Sequence, residues 1–177
     1  MQSGERFKDL KESCVHSWGE VNLMIRQFRN FLTSPWANKI LFVQAYLGLG
    51  LAWLVIHVVP FRWLSTHLGK LMSESSTTLP PEQVHTVRCV AWAVHRASGL
   101  TPWPSACLAQ AITAKMLLRR YGIVSTLYLG AAFTEHRSLK AHAWLRCGAI
   151  YVTGEQGDRD FRVVASFAEM EGESEDT

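Results

Sequence analysis

The stretch TPWPSACLAQAITAKMLLRRYG, residues 101–122, places a cysteine where a helix is predicted to begin. Prolines and a serine precede Cys107, apolar residues follow it at helical spacing, and Gly122 ends the run. Ser105 is the expected N-cap. A structural thiol is expected on the buried stripe of a helix, whereas a thiol in the first turn lies beside free backbone N–H groups that favour the thiolate. This position makes Cys107 the first residue to consider for chemistry.

The segments on either side of this helix predict the fold class. Upstream, Pro80 and Pro81 suit the entry to a helix that stops at Ser98–Gly99. Downstream, IVSTLYLG (residues 123–130) alternates with a period of two, as a strand does. AHAWLRCGAIYVTG (residues 141–154) predicts a hairpin that turns near Cys147–Gly148, and FRVVASF a further short strand. Two helices followed by an antiparallel sheet predict an α+β core over residues 80–167.

The first 75 residues predict a helical region of a different kind. Residues 7–32 carry apolar positions at helical spacing, which indicates an amphipathic helix. Residues 40–61 are almost entirely apolar, and both a membrane span and a buried or membrane-surface helix stay open for them. The stretch GKLMSESSTTLPPE, residues 69–82, has the composition of a linker to the core. Residues 168–177 predict an acidic, disordered tail.

Composition limits the classes of function. With 48% hydrophobic and 19% charged residues, the 177-residue chain is predicted to be globular. The net charge is +3, but without the five acids of the last ten residues 18 basic residues stand against 10 acidic ones. The basic residues are scattered, which argues against nucleic-acid binding. The four cysteines are widely spaced, so neither a zinc site nor another cofactor is expected. The N-terminus lacks the apolar core of a signal peptide, which predicts a cytoplasmic protein with free thiols.

A cysteine nucleophile needs a base, and His142 is the candidate. It lies on a predicted strand between two alanines, and an imidazole there that faces a helix-start thiol would form the pair used in papain-like chemistry. A buried thiol and a merely hydrogen-bonded histidine account for the same spacing. Gln110, one turn beyond Cys107, is a candidate for the oxyanion site, and Trp103 for the wall of the substrate cleft. Packing or surface roles stay open for both, and His136 is expected to be solvated.

The segments SACLAQAITAKMLLRRYGIVSTLYLG (residues 105–130) and AHAWLRCGAIYVTG resemble the transglutaminase-like cysteine protease domain of lasso-peptide leader peptidases. VVPFRWL (residues 58–64) resembles their N-terminal helical part, so that the resemblance covers roughly residues 40–167. It implies a papain- or transglutaminase-like fold with Cys107 as the nucleophile and His142 as the base. It also implies cleavage of a ribosomally made precursor between leader and core, followed by closure of the core by a separate, asparagine-synthetase-like cyclase that uses ATP.

The third catalytic position departs from the family pattern. The family has an Asp on the strand after the His, and Gly154 or Thr153 stands about where it should be. A two-residue turn at Cys147–Gly148 would place Glu155 on the His142 face one pair further along, and a looser turn would place it directly opposite. Glu155 is therefore the predicted substitute, with Asp158 behind it. A solvated loop acid and a dyad without a carboxylate stay open.

Three rival functions remain compatible with these residues. An acyltransferase of the transglutaminase kind would use the same Cys/His pair and the same thioester. A non-catalytic, peptide-binding scaffold could have the same fold. A small membrane protein would use residues 40–59.

Leader recognition is expected to need a partner. The first 75 residues lack the strand pattern of the winged-helix leader-binding module found in some relatives, which predicts a separate leader-binding protein. The stretches 7–32 and 40–59 are its expected docking faces.

Overall fold

Four helices and five strands follow one another in the part of the chain that the computed structural model describes, residues 36–133, 138–154 and 161–169. The helices are α1 (Trp36–Val58), α2 (Phe61–Thr66), α3 (Pro81–Ser98) and α4 (Cys107–Arg120). The strands are β1 (Lys70–Leu71), β2 (Thr126–Phe133), β3 (Leu139–Cys147), β4 (Ile150–Thr153) and β5 (Arg162–Ala168). The amphipathic helix predicted over residues 7–32 lies outside the described residues. The predicted α+β fold, helices packed on an antiparallel sheet, is confirmed.

The strands form one antiparallel sheet in the order β1-β5-β2-β3-β4. The central pair is β2 with β3, which stay in register from Thr126 opposite Arg146 to Phe133 opposite Leu139. In this register Gly130 lies directly opposite His142. The strand that carries the candidate base is thus held on both sides, by β2 and by β4.

Helix α4 is buried on most of its circumference. Its buried residues are Ala109, Ala111, Ile112, Thr113, Ala114, Lys115, Leu117 and Leu118. The helix packs against α3 on one side and against the sheet, mainly β3, on another. Three alanines allow the backbones to approach closely, and this packing fixes the position of the first turn, which begins at Cys107.

Helix α1 has one buried side, although it is long and apolar enough to cross a membrane, with a mean hydropathy of 1.8 over Asn38–Val58. A core helix of a soluble protein also has these properties. Its buried residues, which belong to the same hydrophobic cluster as α3, α4 and the sheet, are Leu41, Ala45, Leu49 and Ala52. A Cβ atom placed on Gly48 would lie 2.8 Å from Cγ2 of Thr113, so the absence of a side chain allows α1 to approach α4.

The stretch predicted as a linker is built into the sheet, and that prediction is wrong. Lys70 and Leu71 pair with Ala168 and Phe167 of β5. Ser75 is buried, and its backbone N–H donates to Oγ1 of Thr126 at 2.8 Å. Local composition suggested a free connection, but these partners lie far away in sequence and are not visible in the stretch itself.

Candidate active site

The first turn of α4 presents backbone N–H groups that no side chain caps. The helix begins at Cys107, as predicted, and its N-cap residue is Ala106. The predicted N-cap, Ser105, is wrong by one residue: its hydroxyl is hydrogen-bonded to Thr101, and its carbonyl accepts a bond from Nε2 of Gln110 at 2.9 Å. The N–H groups beside the thiol therefore keep their capacity to bind an anion.

The Cys107 thiol is free and half-buried at the edge of the core. The structure shows no hydrogen bond between its sulfur and the ring of His142, both of which are described residues. Nucleophile and base are often loosely paired in enzymes without substrate, so the missing hydrogen bond is compatible with a catalytic pair.

The ring of His142 lies between two aromatic side chains. Its centroid is 6.1 Å from that of Trp144 and 5.1 Å from that of Phe161. Gly130 makes this arrangement possible, because a Cβ atom there would lie 2.6 Å from the Trp144 ring and 2.8 Å from Cβ of Phe161. The half-buried imidazole is thus positioned by packing on the sheet face that also carries Trp144.

His142 also lines an open cavity of about 490 Å³. It is lined by Ala91, Trp92 and His95 from α3, Gln110 from α4, His142 from β3, and residues 151–154. Gln110 and His142 were both selected from the sequence, and the structure brings them to one cavity. Cys107 is not among the lining residues; it lies one helical turn before Gln110.

Two lining residues, Trp92 and His95, were missed by the sequence analysis. They are three positions apart on the exposed side of α3, so a helical projection of residues 81–98 would have grouped them. That projection gives no sign of the cavity, because its other walls come from distant parts of the chain.

The family model that matches this chain is the transglutaminase-like superfamily, over residues 52–166. The chain belongs to the transglutaminase-like superfamily. No curated protein and no solved structure matches the chain significantly. Membership in the superfamily supports an enzyme of the cysteine peptidase or acyltransferase kind.

The register beside His142 differs from the one expected. The turn is Gly148–Ala149, with Cys147 opposite Ile150, and a register shift then places Thr153 opposite Leu145. A turn at Cys147–Gly148 would have paired Thr153 with His142. A shift of this kind cannot be deduced from alternation, because it inserts a residue into one strand only.

The position expected for the family's Asp is occupied by a glycine that has no room for a side chain. Gly154 has a φ of +71°, and a Cβ atom on it would lie 3.1 Å from Nε2 of His142 and 2.9 Å from the carbonyl oxygen of Ala143. An aspartate there would have a strained backbone, and its Cβ atom would lie too close to the Ala143 carbonyl and to Cβ of Trp144, at 2.8 Å. The predicted substitutes Glu155 and Asp158 lie outside the described residues.

The other described thiols have different surroundings. Burial raises the pKa of the Cys147 thiol to about 11, although the nearby Arg146 lowers it, and its sulfur donates to the carbonyl of Val124 at 3.3 Å. The Cys89 sulfur lies 3.8 Å from the ring of His85, four residues earlier on α3. Because Cys89 is in the middle of a helix, the backbone offers it no free N–H groups.

Trp103 does not line the cavity, contrary to the role considered for it. Its ring packs against α1, with centroids 5.8 Å from Tyr46 and 6.3 Å from Trp53. The residue therefore joins the loop before Cys107 to α1. His136 and Cys14 lie outside the described residues.

Proposed function

We propose that this chain is a cytoplasmic cysteine peptidase that removes the leader from a lasso-peptide precursor, with Cys107 as the nucleophile and His142 as the base. The observation that carries the proposal is the placement of Cys107 as the first residue of a helix packed against β3, the strand that presents His142 to an open cavity. The transglutaminase-like family supports the class of chemistry, and the resemblance of residues 105–130 and 141–154 supports the substrate class.

The reaction follows from these two groups. The imidazole of His142 takes the thiol proton, and the Cys107 thiolate attacks the carbonyl carbon of the last leader residue. The free N–H groups of the first turn of α4 stabilise the oxyanion. The Gln110 side chain, whose Nε2 donates to the Ser105 carbonyl, lies one turn further along the helix. The imidazolium then protonates the departing amine of the core, which leaves the leader bound to sulfur as a thioester. Water, deprotonated by His142, hydrolyses the thioester and frees the leader carboxylate.

A separate leader-binding protein is part of the proposal. A cleft of this volume holds only a few residues around the scissile bond, too few to select one precursor among cytoplasmic peptides. Delivery by a leader-binding partner raises the effective concentration of the precursor at Cys107. The product, a core peptide with a free amine, is the substrate that an asparagine-synthetase-like cyclase requires.

The test is to incubate the chain with a candidate lasso-peptide precursor and a candidate leader-binding protein taken from its neighbouring reading frames, followed by mass spectrometry. We expect two fragments, the leader with a free carboxylate and the core with a free amine. Cys107→Ala should abolish them, whereas Cys89→Ala should retain most of the activity. A leader that instead gains a mass corresponding to an added amine would indicate an acyltransferase, and an intact precursor would indicate a non-catalytic scaffold.

We further propose Glu155 as the residue that orients His142. Glu155→Gln should lower the single-turnover rate at least about tenfold, in line with the loss of an orienting carboxylate. Asp158→Asn is the matched control, since it removes a carboxylate from the same segment. Unchanged rates in both variants would mean that the enzyme works as a Cys/His dyad.

A further inference from the structure

The solvent-facing side of α1 is apolar along most of its length. Six side chains of that side are each more than half exposed and form what we name the apolar face of α1: Ile40, Val43, Leu47, Leu51, Leu54 and Val58. At 100° per residue they fall within an arc of roughly 80°. A surface helix of a globular protein normally has polar residues in this place, and contiguous exposed apolar surface marks an interaction site.

The opposite side of α1 is committed to the soluble core. Leu41 and Ala52 mark the ends of its buried stripe, and Gly48 fits against Thr113 between them. A bilayer that surrounded α1 would have to take in α4 as well, which carries the buried Lys115. The helix is thus accessible from one side only, and an apolar medium could meet it only along that side.

The charged residues that follow this helix in the chain are basic, which favours an anionic surface. Residues 40–73 contain no Asp or Glu, and the exposed Arg62 and Lys70 follow the helix. Trp63, which is 66% exposed, lies between them in the chain. Tryptophan and basic residues are the side chains that prefer the headgroup layer of a membrane.

The side chains of the apolar face contain no hydrogen-bonding group. Interfaces between proteins that associate reversibly carry about one hydrogen bond per 100–200 Å² and are only about as apolar as the rest of the surface. The face lacks the polar contacts that a leader-binding protein would use, whereas insertion into lipid requires none.

We propose that the apolar face of α1 inserts into the surface layer of an anionic lipid bilayer, with α1 parallel to the membrane plane and Arg62 and Lys70 at the headgroups. This inference does not depend on the proposed peptidase activity. Under this proposal residues 40–59 attach the protein to a membrane and are not the docking face for the leader-binding protein.

The test is flotation of the full chain with preformed vesicles, either of phosphatidylcholine alone or with one lipid in three replaced by phosphatidylglycerol. We expect the chain to float with the anionic vesicles. Leu47→Gln/Leu51→Gln should lower the partition coefficient at least about tenfold. Arg62→Gln/Lys70→Gln should lower binding to anionic vesicles by roughly fivefold for each charge removed. The control is Met116→Gln/Val164→Gln, which removes two equally exposed apolar side chains elsewhere and should float like the unmodified chain.

Three outcomes would overturn the proposal. The first is failure of the full chain to float with either vesicle. The second is an equal loss in the Leu47→Gln/Leu51→Gln and control variants while all unfold at the same temperature. The third is a dimer, or a complex with the leader-binding protein, that forms without lipid and is lost in Leu47→Gln/Leu51→Gln, because the face would then bind protein.

Discussion

At the scale of single residues, the described thiols differ in their position in the backbone. Cys107 begins α4, Cys89 lies in the middle of α3, and Cys147 ends β3. A sulfur at a helix start faces N–H groups that have no partner within the helix, and the same groups stabilise an oxyanion formed next to it. The proposal of Cys107 as the nucleophile therefore rests on backbone geometry, and Cys89, although it contacts His85, lacks that geometry.

The Cys147 thiol provides a prediction about pH. Its folded-state pKa of about 11 lies above the usual thiol pKa of 9.0 because burial disfavours the thiolate. The unfolded chain therefore loses this proton first as the pH rises, and the free energy of unfolding falls between about pH 9 and pH 11. Urea unfolding across this pH range should show that the free energy of unfolding falls less for Cys147→Ala than for the unmodified chain. Parallel curves would show that this thiol does not contribute.

At the scale of secondary-structure elements, α1 combines two roles because it is apolar on both sides. Its buried stripe contributes to the core, and its exposed face is left for lipid. The close approach of Gly48 to Thr113 connects it to α4 and, through α4, to the helix start that carries Cys107.

The contact between Gly48 and Thr113 predicts a matched pair of variants. Gly48→Leu inserts a side chain where even a Cβ atom would lie 2.8 Å from Thr113, and should lower the free energy of unfolding by about 1–3 kcal/mol. Leu47→Ala, one residue earlier on the exposed side, should change it by less than about 0.5 kcal/mol. Urea unfolding of both variants measures the difference. Equal effects would mean that α1 is not packed on α4 in solution.

Local signals predicted the elements well and the contacts between them poorly. Prolines before Cys107 and the glycine at 122 defined α4, because helix ends depend on neighbouring residues. The β3–β4 turn was misplaced by one residue, since a register shift has no signature in alternation. The pairing of residues 70–71 with β5 was missed because the partner strand is almost one hundred residues away. His142 was selected as the candidate base from its place on a predicted strand and from the resemblance, but the cavity that it lines comes from four separate elements.

At the scale of the whole molecule, polar contacts between distant residues hold the periphery to the core. Lys115, in the middle of α4, donates to Glu169 and to the carbonyl of Ser125, each at 2.8 Å. Burial lowers the pKa of Lys115, while Glu169 raises it. Arg146 likewise joins β3 to Glu74 at 3.3 Å, in the segment after β1. Ion pairs thus connect both Glu169, which follows β5, and the segment after β1 to the core.

The Lys115–Glu169 pair predicts a rescue. Glu169→Ala leaves the nearly buried ammonium of Lys115 without its carboxylate and should lower the free energy of unfolding by about 3 kcal/mol. This value is at the low end for a broken buried ion pair, because Glu169 is 21% exposed. Lys115→Met/Glu169→Ala should recover most of that loss, since no charge is then buried. Urea unfolding at neutral pH tests both, and a double variant no more stable than Glu169→Ala would contradict the account.

The central claim is that His142 activates Cys107, and the rate of thiol alkylation tests it most directly. Iodoacetamide labelling at neutral pH, resolved by peptide mass spectrometry, measures each cysteine separately in the folded chain. We predict that Cys107 reacts faster than Cys89, Cys147 and the same thiol in the denatured chain, because His142 takes its proton in the proposed mechanism. We also predict that His142→Ala slows Cys107 several-fold without changing Cys89. A Cys107 that reacts no faster than a denatured thiol and is indifferent to His142→Ala would contradict the claim.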